Sequence, residues 1–141
     1  MRTTMRRLWR EENGAVVLEF ALMTPILVLL VCAIIDFSRA EYTLNQLIGA
    51  VREGARFASV HSQPSNAAAV VAIKGVVKNY YTPIDTSMVS VLDSTATNGR
   101  ITVRVQNHPF VLITPLVKYI GKDTLFMTRA ASFRWERSPT P

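Results

Sequence analysis

Glu19 is the ionisable residue with the most unusual surroundings in this sequence, because it lies inside an apolar block that runs from Ala15 to Ile35. A charged side chain inside a membrane-spanning helix is costly and needs a partner or a route to water. Glu19 is near the start of the block, so it could extend toward the lipid headgroups. It could equally pair with a positive group on another subunit, and the physics of burial alone does not choose between these roles.

Other residue types that could do chemistry are not arranged as sites. The two histidines, His61 and His108, have no metal-ligand spacing to each other or to the single cysteine, Cys32. The aspartates at 85, 93 and 123 lie near predicted turns, where Asp usually bonds to backbone groups. The sequence also lacks a Gly-rich phosphate loop, a nucleophile elbow and a paired-carboxylate motif. We therefore expect no enzyme, no cofactor and no metal.

The charge of the chain argues against nucleic-acid binding. The formal net charge is +6, from 16 basic and 10 acidic residues, but the basic residues are scattered and are not interleaved with aromatics. A nucleic-acid interface usually concentrates both on one face. Membrane lipid is the more plausible partner, because the apolar block is long enough to span a bilayer as a helix.

The flanks of the apolar block predict its orientation. Four arginines precede Gly14, and positive charge beside a span favours the cytoplasmic side. We predict a transmembrane helix at 15–35, a cytoplasmic N-terminus, and a C-terminal domain in the periplasm or outside the cell. Pro25 removes a backbone donor within this helix, and we expect a kink there.

Two other targeting signals were weighed against a retained span. Val31-Cys32-Ala33 could be a signal-peptidase site, which would give a mature N-terminus at Ile34, but Glu19 and Pro25 are unfavourable within a plain signal sequence. A lipidation site at Cys32 is disfavoured because Val31 stands where a small residue is expected.

Beyond the span, apolar residues recur every three or four positions, so an amphipathic helix should continue over 36–62 and end before Pro64. A second helix is predicted from Asn66 to Tyr81. Alternating patterns predict strands at 88–92, 101–105 and 125–135, the first two joined near Asn98-Gly99, with a short helix or irregular crossover over 109–121. The predicted fold is α+β: a long N-terminal helix, then an exported domain at 63–137 with a helix and a three-stranded antiparallel sheet, and a loose tail at 138–141.

Several short motifs together resemble the TadE-like family of minor pilins or pseudopilins of the tight-adherence (Tad) pilus. They are Gly14 followed by Ala15-Val16-Val17-Leu18-Glu19-Phe20, then Pro25, Asp36-Phe37-Ser38-Arg39 and Arg52-Glu53-Gly54-Ala55-Arg56. The first motif is similar to the cleavage site of type IV pilin-like precursors. Val51 and Ile35 depart from the family pattern, in which a small residue and a glycine are expected.

The resemblance implies a leader peptide at 1–14, cleaved by a prepilin peptidase between Gly14 and Ala15. It also implies that Glu19, followed by Phe20, is the glutamate that pairs with the new amino group of a neighbouring subunit. The implied partners are the peptidase, other pilin or pseudopilin subunits and an assembly platform in the inner membrane. No role follows for Arg52, Glu53 or Arg56.

These observations predict a structural minor pilin or pseudopilin precursor for a Tad-type (type IVc) pilus that serves surface adherence. It would reside in the inner membrane as a single-pass protein or enter a pilus. The alternative is a membrane-anchored envelope binding module that is not assembled into a pilus.

Overall fold

The computed structural model describes residues 12–60, 66–94, 99–114, 121 and 123–135. Two helices are followed by a short 3-10 turn and three strands. In chain order they are α1 (Glu12–Ser59), α2 (Ala67–Tyr80), the turn (Thr86–Met88), β1 (Val89–Ser94), β2 (Arg100–Val111) and β3 (Thr124–Arg134). The predicted α+β arrangement, with a long apolar helix, a second helix and a three-stranded antiparallel sheet, is confirmed.

Helix α1 is continuous over 48 residues and passes through Pro25. The Thr24 hydroxyl donates to the Phe20 carbonyl at 2.7 Å, within the turn that the proline interrupts. Such side-chain bonds help to satisfy backbone groups around a proline in an apolar helix. The kink at Pro25 stays a prediction. The helix ends at Ser59, and Pro64, the expected terminator, lies outside the described residues.

The predicted second helix is confirmed as α2, with Asn66 as its N-cap: the Asn66 side chain accepts a hydrogen bond from the Ala68 N–H at 3.2 Å. The sheet has the strand order β1-β2-β3, and both pairs are antiparallel. Gly99, at the end of the predicted hairpin turn, has a φ of 60°, while Asn98 lies outside the described residues.

The core lies between one face of the sheet and the two helices. Its α1 contribution comes from the half of the helix that follows the apolar block, so this half belongs to the folded domain. The fully or almost fully buried members are Leu47, Ala50, Val51, Ala55, Ala58, Ile73, Val77, Ile84, Val89, Ile101, Val103 and Val105.

Strand β2 corrects one expectation. A short helix or crossover was predicted from Pro109, but β2 continues through Pro109 to Val111. Strand β1 pairs with β2 only as far as Val105, so beyond that point one edge of β2 is unpaired. A proline is tolerated in a strand where the missing N–H faces an unpaired edge.

A β-bulge between Val105 and His108 allows this extension. Asn107 has a φ of 54°, a left-handed conformation that asparagine adopts more readily than most residues. The extra residue reverses the inward and outward alternation of the strand. As a result His108 and Phe110 are buried, where an uninterrupted strand would have buried Asn107 and Pro109.

Candidate functional site

The N-terminal half of α1 is an apolar surface without a cover in the described fold. Its most apolar window has a mean hydropathy of 2.5 and none of that window is buried. Side chains on every side of this half are exposed, including Phe20 at 69%, Leu22 at 68% and Ile26 at 69%. A helix that is apolar all round belongs in an apolar environment. The segment is compatible with single-pass membrane anchoring.

The predicted processing and assembly residues all lie on α1. Gly14 is partly exposed, and Ala15, Glu19 and Phe20 are exposed. Ala15 and Glu19 are four residues apart, so their side chains lie on the same face, one helical turn from each other. Within the described residues, Glu19 has no hydrogen-bond or ion-pair partner. No positively charged group of the described residues therefore pairs with Glu19.

The motif at 52–56 lies at the other end of α1, on the folded domain. Arg56 donates two hydrogen bonds to the Glu53 carboxylate, from Nη2 to Oε1 at 2.8 Å and from Nε to Oε2 at 3.1 Å. This contact lowers the pKa of Glu53 and raises the pKa of Arg56. Both side chains are solvent-accessible, as is Arg52, and such pairs contribute little to stability.

Gly54, within the same motif, has a packing role. A Cβ built on Gly54 would lie 2.5 Å from the Val77 Cγ2 atom, so the absence of a side chain lets α2 approach α1 closely. The motif therefore joins an exposed ion pair to a buried helix contact.

Asp36, immediately after the apolar block, is a buried anchor between α1 and the end of β2. Its side chain is only 4% exposed. The carboxylate accepts hydrogen bonds from the Ile113 N–H at 2.9 Å and 3.0 Å, from the Thr114 N–H at 2.7 Å, and from the Thr114 hydroxyl at 2.5 Å. Two successive backbone N–H groups thus converge on one carboxylate.

These contacts determine the charge state of Asp36. Burial would raise its pKa, but the bonds from Thr114 and Ile113, together with the Arg39 guanidinium, hold the pKa below its usual value of 3.8. Arg39 Nη1 is 3.4 Å from Asp36 Oδ1, and its guanidinium carbon lies 5.3 Å from the centre of the Phe110 ring. The carboxylate is therefore ionised at neutral pH.

Sequence reasoning assigned Asp36 no role beyond its place in the motif. The available signal was an acidic residue directly after an apolar run, with a basic residue three positions later. This pattern is equally typical of an exposed helix face. The partner, at a sequence separation of 77, depends on the β2 extension that was not predicted.

An open groove of about 590 Å³ lies beside this anchor. It is lined by residues of α1, of β2 and of the segment after α2: Ser38, Arg39, Tyr42, Thr43, Tyr81, Pro83, His108, Pro109, Phe110 and Val111. His108 is 6% exposed, and its ring meets the Tyr81 ring edge-on, with 5.7 Å between centroids. Its Nδ1 atom has no hydrogen-bond partner within the described residues, and burial lowers the pKa of the ring.

The described residues contain no group of three His, Cys, Asp or Glu side chains that could hold a metal ion. His61 lies outside them. The geometry offers instead an uncovered apolar helix, an unpartnered glutamate and a domain tied to the helix at Asp36.

These features coincide with a family match. Residues 14–56 match the TadE-like protein family. The resemblance noted from the sequence motifs is thereby confirmed over this segment, which begins at Gly14 and ends at Arg56. No curated protein and no solved structure gives a match to the chain. The match covers 43 of the 141 residues and is a likeness to TadE-like proteins, which are generally structural.

Proposed function

We propose that this chain is the precursor of a minor pilin or pseudopilin that acts structurally in the assembly of a Tad-type pilus for surface adherence. It is inserted in the inner membrane with its N-terminus in the cytoplasm and its folded domain on the other side. A prepilin peptidase cleaves it between Gly14 and Ala15. Afterwards the helix beginning at Ala15 packs with those of other pilin subunits.

The observation that carries this proposal is the combination of the TadE-like match with an unpartnered Glu19 on an uncovered apolar helix. Cleavage after Gly14 would create an α-amino group at Ala15, a positive charge at the helix N-terminus. That amine on a neighbouring subunit would be a partner for Glu19 in an apolar assembly, where an unpaired charge is costly. The proposal thus explains why a carboxylate is retained in the apolar block.

The first step is tested by the N-terminus of the mature protein. The full chain is produced in cells with an active prepilin peptidase and, in parallel, with an inactive one, and its intact mass is measured. We expect an N-terminus at Ala15 only with the active peptidase. A Gly14→Val variant, which places a branched side chain at the cleavage position, should remain uncleaved.

Other N-termini contradict the proposal. Met1 with the active peptidase would mean that the leader is retained, and Ile34 would mean removal of the whole apolar block by a signal peptidase. The alternative function, an envelope binding module on a permanent anchor, also requires retention of the leader. The feature that favours this alternative is the open groove beside His108. The mass measurement therefore separates the two functions.

A further inference from the structure

The Asp36 anchor determines which end of the sheet faces the membrane. Asp36 directly follows Ile35, the last residue of the predicted span, and its carboxylate holds the N–H groups of Ile113 and Thr114. These two residues follow the end of β2 at Val111. The connection between β2 and β3 therefore leaves the sheet at the level where the apolar helix leaves the bilayer.

Four apolar side chains are exposed at this end of the sheet. Val111 is 53% exposed, Ile113 56%, Leu125 47% and Phe126 69%. They share the end of the sheet but not one face: Val111 and Phe126, which pairs with Pro109, lie on the outer face, whereas Leu125 pairs with the buried Phe110 on the side of the helices. We call these four residues, Val111, Ile113, Leu125 and Phe126, the hairpin patch.

The charge distribution distinguishes this end of the sheet from the opposite one. Within 109–114 and 123–128, Asp123 is the one charged residue. At the opposite end Arg100 pairs with Arg134, and Arg104 lies on the same strand. A cluster of exposed apolar residues with little charge is typical of a surface that has a partner.

The depth of the patch identifies that partner. The hydrocarbon core of a bilayer is about 30 Å thick, and the headgroup layers extend it to about 40–45 Å, or roughly 5–8 Å on each side. Ile113 lies against the residue that follows the span. Val111 is two strand residues further on, which corresponds to about 7 Å. The membrane-proximal part of the patch is therefore at the level of the headgroups.

We propose that the membrane-proximal part of the hairpin patch, Ile113 and Val111, is a second membrane-contact surface, which lies in the headgroup layer of the bilayer that α1 crosses. Its partner is the lipid interface itself, continuous with the uncovered apolar surface of α1. Phe37, 72% exposed at the start of the folded half of α1, adds an aromatic side chain at the same level. The proposal rests on the span at 15–35, which is part of the proposed function, and does not depend on cleavage or on pilus assembly.

The test measures lipid contact at three positions of the full chain, reconstituted at low density in vesicles of phosphatidylethanolamine and phosphatidylglycerol. A small fluorophore is attached to native Cys32, or to a single cysteine introduced as Val111→Cys or Leu92→Cys in a Cys32→Ala background. A lipid with a nitroxide near the headgroup end of its acyl chain is then added as quencher.

Leu92 is the matched control for Val111. It is 45% exposed and pairs with Thr102 on the same outer face of the sheet. Thr102 and Val111 are nine residues apart along β2, a distance of roughly 25–30 Å. Both substitutions replace an exposed apolar side chain, so neither should unfold the domain, and circular dichroism checks this.

We expect the fluorescence lost at Val111 to approach that lost at Cys32, with no loss at Leu92. Quenching at Cys32 alone would overturn the patch and leave the span intact. If none of the three positions is quenched, both the membrane contact of the patch and the membrane span are overturned. Quenching at Leu92 as strongly as at Val111 would also overturn the proposal, because the contact would not be specific to this end. If position 111 is shielded from the quencher only at high protein density, the patch contacts a second copy of the chain and the lipid proposal is overturned.

Discussion

Gly54 on α1 and Val77 on α2 lie so close together that a Cβ atom on residue 54 would be 2.5 Å from Val77 Cγ2. The same Cβ would lie 3.5 Å from Val103 Cγ1, so the glycine faces both the second helix and the sheet. Its neighbours are fully buried and have little room to move. The glycine is thus required by the packing of the domain, in a motif that the sequence alone presented mainly through its charges.

Gly54→Ala adds an overpacking cost of about 1–3 kcal/mol and gains about 1 kcal/mol from the higher helix propensity of alanine. The free energy of unfolding should therefore fall by about 1 kcal/mol, and by up to about 2 kcal/mol where the core cannot relax. Gly75→Ala is the matched control, since no heavy atom lies within 4 Å of its added Cβ. That variant should be more stable than the original chain. Urea unfolding of the full chain in micelles measures the free energy of unfolding of both variants. A change of the same sign in the two variants would contradict the packing role of Gly54.

Asp36→Asn should lower the free energy of unfolding by about 2 kcal/mol, because hydrogen bonds to a charged acceptor are lost and an amide N–H₂ group faces donors. The pKa of Asp36 lies below 3.8 in the fold. The ionised carboxylate therefore stabilises the fold fully at pH values above the pKa of an unfolded aspartate. This stabilisation is lost as the pH falls through the lower pKa of the folded state. The variant should lack this acid-dependent loss. Glu41→Gln, on an exposed position of the same helix, is the control and should leave stability unchanged.

The pH dependence of stability near neutrality should come in part from His108. Burial lowers its pKa from 6.5, so below 6.5 the unfolded chain binds a proton that the folded chain resists. Stability should therefore decrease as the pH falls from about 7.5 to about 5. His108→Phe keeps an aromatic ring against Tyr81 and removes the titration, so its thermal unfolding should vary less over this range. An unchanged pH profile in the variant would exclude His108 as the source.

Glu19→Ala should leave membrane insertion and cleavage after Gly14 intact, because neither requires the carboxylate. Incorporation into pili with other subunits should fall strongly, since the proposed partner of the Ala15 amine is removed. Glu41→Ala, a carboxylate beyond the apolar block, serves as the control and should assemble normally. Quantification of the chain in sheared pili measures the effect. Normal incorporation of the Glu19 variant would leave the charge-pairing role unsupported.

The elements of the fold were largely predictable, because each carries a local signal. The apolar block and the three- and four-residue spacing after it predict α1, and the side chain of Asn66 marks the start of α2. Strict alternation from Ile101 to Val105 predicts the first half of β2. These signals depend on neighbours within one or two turns, which a sequence displays directly.

The second half of β2 and the Asp36 anchor could not be predicted, because they depend on distant partners. Pro109 resembles a strand terminator unless it is known that β1 no longer pairs at that point. The bulge at Asn107 reverses the alternation, so that His108 is buried against the pattern of the preceding residues. Once β2 is known to reach Val111, the position of Ile113 beside Asp36 follows from the antiparallel course of the strand along α1.

The unbroken course of α1 through the end of the apolar block has a mechanical consequence. A continuous helix of 48 residues is about 72 Å long and resists axial compression. The hydrogen bonds of Asp36 hold the end of β2 to this helix. A displacement of the apolar segment along the helix axis therefore moves the folded domain by the same amount. One helical turn of travel therefore raises the domain by about 5.4 Å. Force applied to the apolar half of α1 therefore reaches the folded domain through a helix without a break.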